Sequence, residues 1–339
     1  MDLDRSRVER FLTSALASVT QERYSGALEA FSAECLREGV VFSALAVEEQ
    51  DWFLADKVLE GYEAGGSRSF YATLLSALLK RDPRLQLKVA WRVLDVWAVK
   101  APPRQAPAVP PEVLLAVVAV ALLLGLEEAS TAMLLAYCGL LRISEALGLR
   151  RRDVVVAKES ITLCLGRTKR GLEEKVVLLH PGVRDWVVQF LDRRKLEGEE
   201  RLFKCSYATL LAWLRAIAAG LGFAAWELTT HSLRRSGASE LARRGVPFPD
   251  ILLFGRWRSE RSAREYIRRG EVAVLRARGG ADPADLRRAE AWSRLAPRAW
   301  LLLDGGAGWP GLRRRQLSPA LLTRWLAVLQ PAKGDAAAH

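Results

Sequence analysis

The sequence is poor in the residues that most often bind transition metals. Its 339 residues include only four cysteines and three histidines. The cysteines, Cys35, Cys138, Cys164 and Cys205, lie far apart and form no pair with the short spacing of a zinc site. We therefore expect buried, reduced thiols in an intracellular protein, and no bound metal.

The sequence also lacks the signatures of nucleotide binding, secretion and membrane insertion. No glycine-rich loop ends in Lys-Ser or Lys-Thr, which argues against an ATP-binding P-loop. The longest apolar run, residues 113–126, is shorter than the ~20 residues of a membrane span. We expect it to form a core helix that begins at Pro110 and Pro111. The first residues lack the basic-then-apolar order of a signal peptide.

Basic residues exceed acidic ones. Lysine and arginine total 51 against 39 aspartates and glutamates, which gives a net charge of +12 and a pI near 9.9. This balance favours a polyphosphate partner such as nucleic acid. However, only ten of the basic residues are lysines. An arginine-rich composition from codon bias is therefore the alternative explanation.

The pattern along the chain predicts a mainly α protein with several segments. Residues 1–100 contain amphipathic helical patterns, for example residues 21–39, which end at Gly39. Residues 101–111 are proline-rich and predict a stiff linker. Residues 112–275 contain further helical patterns and one predicted β-hairpin. Residues 276–339 have Gly and Pro breaks and a last helical pattern at 318–329.

Two polar segments beyond the predicted linker interrupt apolar patterns. In residues 134–149 the apolar pattern stops at Gly139 and restarts after Arg142, which places Arg142 near a helix N-terminus. In residues 161–179 two β-rich runs flank a polar connection, which predicts a hairpin with Lys169 near its tip.

Two more segments follow. Residues 229–245 predict a helix with Thr229 as its N-cap and Gly245 as its terminator. His231 and Arg234 then share one face of this helix at i, i+3. Further on, Tyr266 lies nine positions after Trp257.

Together these four segments resemble the tyrosine recombinase (phage integrase) family over residues 106–269, about half of the chain. Residues 139–145 are similar to the family's first arginine box, and residues 166–169 to its β-hairpin lysine. Residues 231–234 are similar to the His-x-x-Arg box, and residues 255–257 with Tyr266 to the His/Trp position and the nucleophile. Trp257 stands where most members have His, as in the Cre and yeast-flippase types.

Type IB topoisomerases resemble the same family in fold and chemistry. They usually have Lys in place of the first residue of the His-x-x-Arg pair and a His before the tyrosine. His231 together with Trp257 therefore favours a recombinase.

The resemblance implies a domain order. Residues 1–100 would form a helical, DNA-gripping clamp domain, joined by the linker 101–111 to a catalytic domain at 112–275. The catalytic domain would be α-rich with a small β-sheet or hairpin. Residues 276–339 would form a C-terminal extension, whose last helix is a candidate for docking on a neighbouring protomer. A solvated appendage is the alternative.

The resemblance also implies a mechanism: DNA is cut and rejoined through a 3′-phosphotyrosyl intermediate, without metal or ATP. The partners would be double-stranded DNA and, on two DNA sites, a homotetramer. Glu145 would orient the first arginine. The implied catalytic residues are Arg142, Lys169, His231, Arg234, Trp257 and the nucleophile Tyr266.

Each of these residues also has an ordinary structural explanation. Arg142 could simply form an ion pair with Glu145, and Lys169 could lie on a solvated hairpin tip. Lys175 is a rival for the role of Lys169. Trp257 is one of 11 tryptophans and could belong to the core. Tyr266 could pack on the face of an amphipathic helix.

Three functions remain open at this point. The first is a recombinase or integrase that cuts and joins DNA. The second is a DNA-binding protein derived from a mobile element that no longer cuts. The third is a telomere resolvase that uses the same chemistry.

Overall fold

The computed structural model describes residues 18–102, 107–167, 173–267 and 283–296. The chain divides into two compact units, residues 1–105 and residues 106–339. The division falls inside the proline-rich stretch at 101–111. Both units are mainly helical, and the one sheet among the described residues is small and antiparallel, so the predicted fold class is confirmed.

The first unit is helical throughout its described part. Its helices are α1 (Ser18–Arg37), α2 (Val47–Glu63), α3 (Arg68–Arg81) and α4 (Lys88–Lys100), with a 3-10 turn at Phe42–Ala44. The helix predicted at residues 21–39 is α1, which is followed by Gly39 at φ +68°. Leucine and aromatic side chains from these helices form one core, which includes Phe31, Leu54, Leu75, Leu94 and Trp97.

A buried carboxylate joins two helices of this unit. Asp51 on α2 accepts hydrogen bonds from the backbone N–H groups of Val89 and Ala90, at 2.8 and 2.9 Å. These donors lie in the first turn of α4, where backbone N–H groups have no partner within the helix. Asp51 therefore caps α4 from a distant part of the sequence.

The second unit contains nine described helices and three strands. The helices are α5 (Pro111–Leu123), α6 (Glu127–Cys138), α7 (Ile143–Gly148), α8 (Pro181–Arg194), α9 (Tyr207–Gly220), α10 (Thr230–Arg243), α11 (Phe248–Phe254), α12 (Glu260–Tyr266) and α13 (Pro283–Leu295). Short 3-10 turns occur at Arg151–Asp153 and Ala224–Trp226. The predicted starts at Pro111 and Thr229 are confirmed, because Pro111 is the first residue of α5 and Thr229 is the N-cap of α10.

Helix α5 forms the centre of the second unit. It is apolar on all sides and buried along most of its length, as expected for a helix surrounded by others. Helices α6, α9, α10 and α13 pack against it. Helix α13 inserts Ala289 and Trp292 into this core. No helix in the described parts of the chain is both long and apolar enough to cross a membrane.

The strands β1 (Val154–Val156), β2 (Ile161–Arg167) and β3 (Glu173–Leu178) form an antiparallel sheet in the order β1-β2-β3. In the predicted hairpin, Ile161 pairs with Leu178 and Cys164 with Lys175. The register shifts between Cys164 and Arg167, next to the hairpin tip. The tip itself, residues 168–172, lies outside the described residues.

Close contact between α6 and α10 brings two of the motifs together. A Cβ atom on Gly237 of α10 would overlap the backbone oxygen of Tyr137 and the side chain of Leu140. Glycine at this position lets the two backbones approach. As a result, the side chain of Arg234, one turn earlier on α10, reaches the segment that precedes Arg142.

Candidate active site

Arg142 lies at the start of α7, as the sequence predicts, and pairs with Glu145. It is the N-cap residue of that helix. Its backbone N–H donates to Glu145 Oε2 at 2.8 Å, and its Nη1 donates to Oε1 at 2.5 Å. The side chain of Arg142 is 53% exposed, whereas that of Glu145 is 17% exposed. The guanidinium is therefore held at one end by Glu145 and open to a ligand at the other.

Arg234 lies on α10, almost completely buried. Its Nη1 donates to the backbone oxygen of Leu140 at 2.6 Å, and its Nη2 donates to that of Gly255 at 2.5 Å. Its Nη1 is also 3.9 Å from Glu145 Oε2. These contacts place the positive charge of Arg234 beside the Arg142–Glu145 pair and fix its orientation.

A third arginine, Arg256, joins the same carboxylate. Its Nη2 donates to Glu145 Oε2 at 2.6 Å, and its side chain is 8% exposed. We call Arg142, Arg234, Arg256 and Glu145 the arginine cluster. Arg256 stands between Gly255 and Trp257 of the last motif, but nothing in the sequence marks it, because one more basic residue is ordinary in this arginine-rich chain.

The charges of the cluster explain the ionisation of Glu145. Burial acts to raise the pKa of this carboxyl group, but the nearby Arg256 guanidinium and the hydrogen bonds from Arg142 outweigh it and hold the pKa below its ordinary value. Glu145 is therefore a carboxylate near neutral pH. One carboxylate facing three guanidinium groups leaves the cluster positively charged, which suits an anionic ligand.

His231 lies on the first turn of α10 with an exposed side chain. Partial burial, together with the positive charges of Arg234, Arg235 and Arg142, lowers the pKa of its imidazole below the ordinary value. His231 is therefore mainly neutral near pH 7 and able to accept a proton. The contacts of Arg234 with Leu140 and Glu145 show that the two predicted motifs meet in space.

Trp257 packs underneath Arg234 and is itself buried. The Arg234 guanidinium carbon lies 4.6 Å from the centre of the indole ring, and Trp257 is 8% exposed. The ring also covers Gly255, where a Cβ atom would overlap it. Trp257 belongs to a small core with Leu140, Ala238, Ile251 and Ala263. It thus supports Arg234 through a cation–π contact.

Tyr266 is the last residue of α12, and its side chain lies outside what the structure describes. Helix α12 packs against α10, the helix that carries His231 and Arg234. Ala263 of α12 is fully buried in the small core beneath Trp257. The backbone of α12 is therefore anchored on the elements that hold the arginine cluster.

Lys169 lies outside the described residues, but its rival Lys175 lies within them. Lys175 is exposed on β3, where successive side chains point to opposite faces. The neighbouring Glu174 points toward the cluster, since its Oε2 is 3.2 Å from Arg256 Nε. Lys175 therefore lies on the face of the hairpin turned away from the cluster.

One acidic group among the described residues has the spacing of a metal site, and it lies in the first unit. It consists of Glu34, Glu38 and Glu60. The ammonium group of Lys57 is 2.5 Å from Glu38 and 2.8 Å from Glu60, and it is also close to Glu34. A buried lysine thus already occupies the centre of this group and neutralises part of its charge.

Comparisons with known proteins find one matching family and similar solved structures. Residues 122–271 match the phage integrase family. A crystal structure of the XerH site-specific recombinase, bound to a palindromic difH substrate in a post-cleavage complex, is similar with a TM-score of 0.54 and 16% identity. The match covers 76% of this chain and 78% of that one. The XerA recombinase gives a TM-score of 0.40 and 14% identity over 83% of this chain and 95% of that chain.

No curated protein matches this sequence. The XerH likeness is one of fold, and the family assignment rests on the matched segment. That segment contains all four motifs, from the arginine box to the tyrosine. Residues 122–271 therefore form a domain of the phage integrase family, the family of the tyrosine recombinases.

Proposed function

We propose that this protein is a site-specific DNA recombinase that cuts and rejoins strands through a 3′-phosphotyrosyl intermediate on Tyr266. One observation carries the proposal. The half-exposed Arg142 and the buried Arg234 share Glu145, His231 lies one turn before Arg234 on α10, and α12, which ends at Tyr266, packs against α10. This is a cationic site for one phosphodiester with a proton acceptor beside it.

The two family arginines have different tasks in this site. Arg142 presents an exposed guanidinium whose fork matches the non-bridging oxygens of a phosphate. Arg234 is fixed by two backbone carbonyls and by Trp257, so its charge is already oriented before DNA arrives. Such fixed charges stabilise the negative charge that develops on the pentavalent phosphorus without reorganisation during the reaction.

Proton transfer completes the reaction. A tyrosine phenol has a pKa of about 10, so only about one in a thousand is ionised near pH 7. As Tyr266 attacks phosphorus, its proton passes to the neutral His231, and the bond from phosphorus to the 5′ oxygen breaks. Lys169 protonates that 5′ oxygen. Attack by a new 5′ hydroxyl reverses these steps and releases the tyrosine, so no ATP is needed.

Trp257 contributes support for Arg234. In addition, the family resemblance assigns its indole N–H to the phosphate oxygens. Its burial beneath Arg234 makes the first role independent of bound DNA.

We propose double-stranded DNA as the partner, bound by the helical first unit as well as by the second, and strand exchange by four protomers on two duplexes. The net charge of +12 supports binding to DNA. The XerH structure shows a protein of this fold with a palindromic substrate after cleavage. A reaction on DNA also places the protein inside the cell.

The most informative test is to recover DNA covalently attached to the protein and to sequence it. We expect attachment through the 3′ end of the cut strand and a free 5′ hydroxyl. Cleavage is expected to continue in chelator, because the cations at the site are arginine side chains. Tight DNA binding without any covalent product would instead support the non-cutting DNA-binding protein.

A further inference from the structure

Arg256 has a backbone conformation that arginine rarely adopts. Its φ is +57°, in the left-handed region that suits glycine. For a residue with a Cβ atom this conformation is strained, because Cβ comes too close to the following carbonyl oxygen. A glycine at this position would avoid this strain, so the side chain must offset it.

The side chain makes two ion pairs in a nearly dry environment. Nη2 lies 2.6 Å from Glu145 Oε2, and Nε lies 3.2 Å from Glu174 Oε2. The Arg256 side chain is 8% exposed, compared with 17% for Glu145 and 32% for Glu174. Pairs at this depth are screened less by water than exposed ones.

These two carboxylates belong to different parts of the site. Glu145 lies on α7 and orients Arg142, whereas Glu174 is the second residue of β3, the strand that leaves the hairpin tip. Arg256 therefore connects the arginine that is exposed to a phosphate with the strand that leaves the tip. Its neighbours Gly255 and Trp257 hold Arg234 at the same time.

We infer that Arg256 is a positioning residue for the proposed strand-cutting reaction. It holds Arg142, through Glu145, and the β-hairpin, through Glu174, in one fixed arrangement. The inference rests on the proposed function. Arg142 is half exposed, and its backbone N–H and its guanidinium both donate to Glu145, so its orientation depends on Glu145, and that of Glu145 depends on Arg256. Without Arg256, Glu145 and the hairpin can move independently.

The test uses the full-length protein and a nicked suicide DNA substrate, on which the covalent product accumulates. The main variant is Arg256→Gly, which removes the side chain and suits the left-handed backbone. Its control is Arg194→Ala, which removes a 2.6 Å ion pair with Glu128 elsewhere in the same unit. For each protein we would measure the single-turnover rate of adduct formation, the DNA dissociation constant and the melting temperature.

We expect Arg256→Gly to form adduct about 10- to 100-fold more slowly, the loss typical of reacting groups misplaced by about 1 Å. DNA affinity should change little, and Arg194→Ala should cleave at the wild-type rate. Glu174→Gln should also slow cleavage. Its effect should disappear in the Arg256→Gly background, since both variants break the same connection.

The outcomes separate this role from the proposed function. If wild-type protein forms adduct and Arg256→Gly does so at full rate, the positioning role is refuted and the proposed function stands. A loss of DNA affinity at unchanged cleavage rate, or additive effects of the two substitutions, also refutes it. If Arg256→Gly does not fold, Glu174→Gln alone decides, and a wild-type rate in that variant refutes the role. A wild-type protein that forms no adduct refutes the proposed function, and this role with it.

Discussion

Replacing Glu145 by glutamine tests whether this carboxylate balances the arginine cluster. Glu145 accepts three hydrogen bonds from Arg142 and Arg256, and Arg234 lies 3.9 Å away. Glutamine keeps one oxygen acceptor, but it removes the negative charge and turns an NH₂ group toward a guanidinium. Hydrogen bonds to charged groups contribute about 1.5–3 kcal/mol. We therefore expect the free energy of unfolding to fall by about 2–3 kcal/mol.

Thermal unfolding followed by circular dichroism measures this loss. For a unit of 150–250 residues, 1 kcal/mol shifts the melting temperature by roughly 2–4 °C, so we expect a decrease of about 4 to 12 °C at pH 7. Adduct formation should also slow, because Arg142 loses its orienting partner. The matched control is Glu240→Gln, which loses ion pairs with Arg243 and Arg244 outside the cluster.

The pH dependence gives a second, independent readout. The pKa of Glu145 is lower in the folded protein than in the unfolded chain, so its contribution to stability is fully present above the unfolded value, near 4.3. That contribution is lost as the pH falls through the lower folded value. The stability difference between wild type and Glu145→Gln should therefore shrink below about pH 4. Equal melting temperatures at pH 7, or a difference that persists at low pH, would refute the reasoning.

Three further predictions concern other parts of the site. Because the pKa of His231 lies below the ordinary histidine value of about 6.5, the cleavage rate should rise with pH at acidic pH and be constant by pH 7. A wild-type pH–rate profile without this rise would contradict the role of His231 as proton acceptor. Gly237→Ala should destabilise the protein by about 1–3 kcal/mol in thermal unfolding, because a methyl group separates α10 from α6; Gly148→Ala, whose methyl group would meet nothing within 4 Å, is the control. Lys169→Ala should slow cleavage by about 10²- to 10⁴-fold, and sulfur in place of the bridging 5′ oxygen should restore the rate. Lys175→Ala should show neither effect. If sulfur rescues only the Lys175 variant, Lys175 is the general acid.

The local parts of the site could be predicted from the sequence because local rules determine them. Helix-start signals placed Arg142 near a helix N-terminus and a threonine at the N-cap of α10, and the i, i+3 spacing from Arg142 to Glu145 allowed the observed ion pair. The β-rich runs gave the hairpin strands. Lys169, the side chain of Tyr266 and the helix predicted at residues 318–329 lie outside the described residues, so they stay predictions.

The tertiary parts could not be predicted, for physical reasons. The role of Arg256 depends on a left-handed φ angle and on contacts with residues more than 80 positions away in the sequence. The burial of Trp257 beneath Arg234 depends on the close packing of α10 and α11. No spacing rule along the chain encodes either contact. The same holds for the left-handed backbone of Leu140, whose carbonyl oxygen accepts a hydrogen bond from Arg234.

The most direct test of the central claim is to identify the residue that carries the DNA. We would trap wild-type protein on a nicked suicide substrate, digest it and map the nucleotide-bearing peptide by mass spectrometry. Tyr207, which is exposed in the same unit, provides the matched control. We expect attachment at Tyr266, no adduct for Tyr266→Phe with DNA affinity retained, and a normal adduct for Tyr207→Phe. Attachment at any other residue, or undiminished adduct in Tyr266→Phe, would contradict the role of Tyr266 as nucleophile.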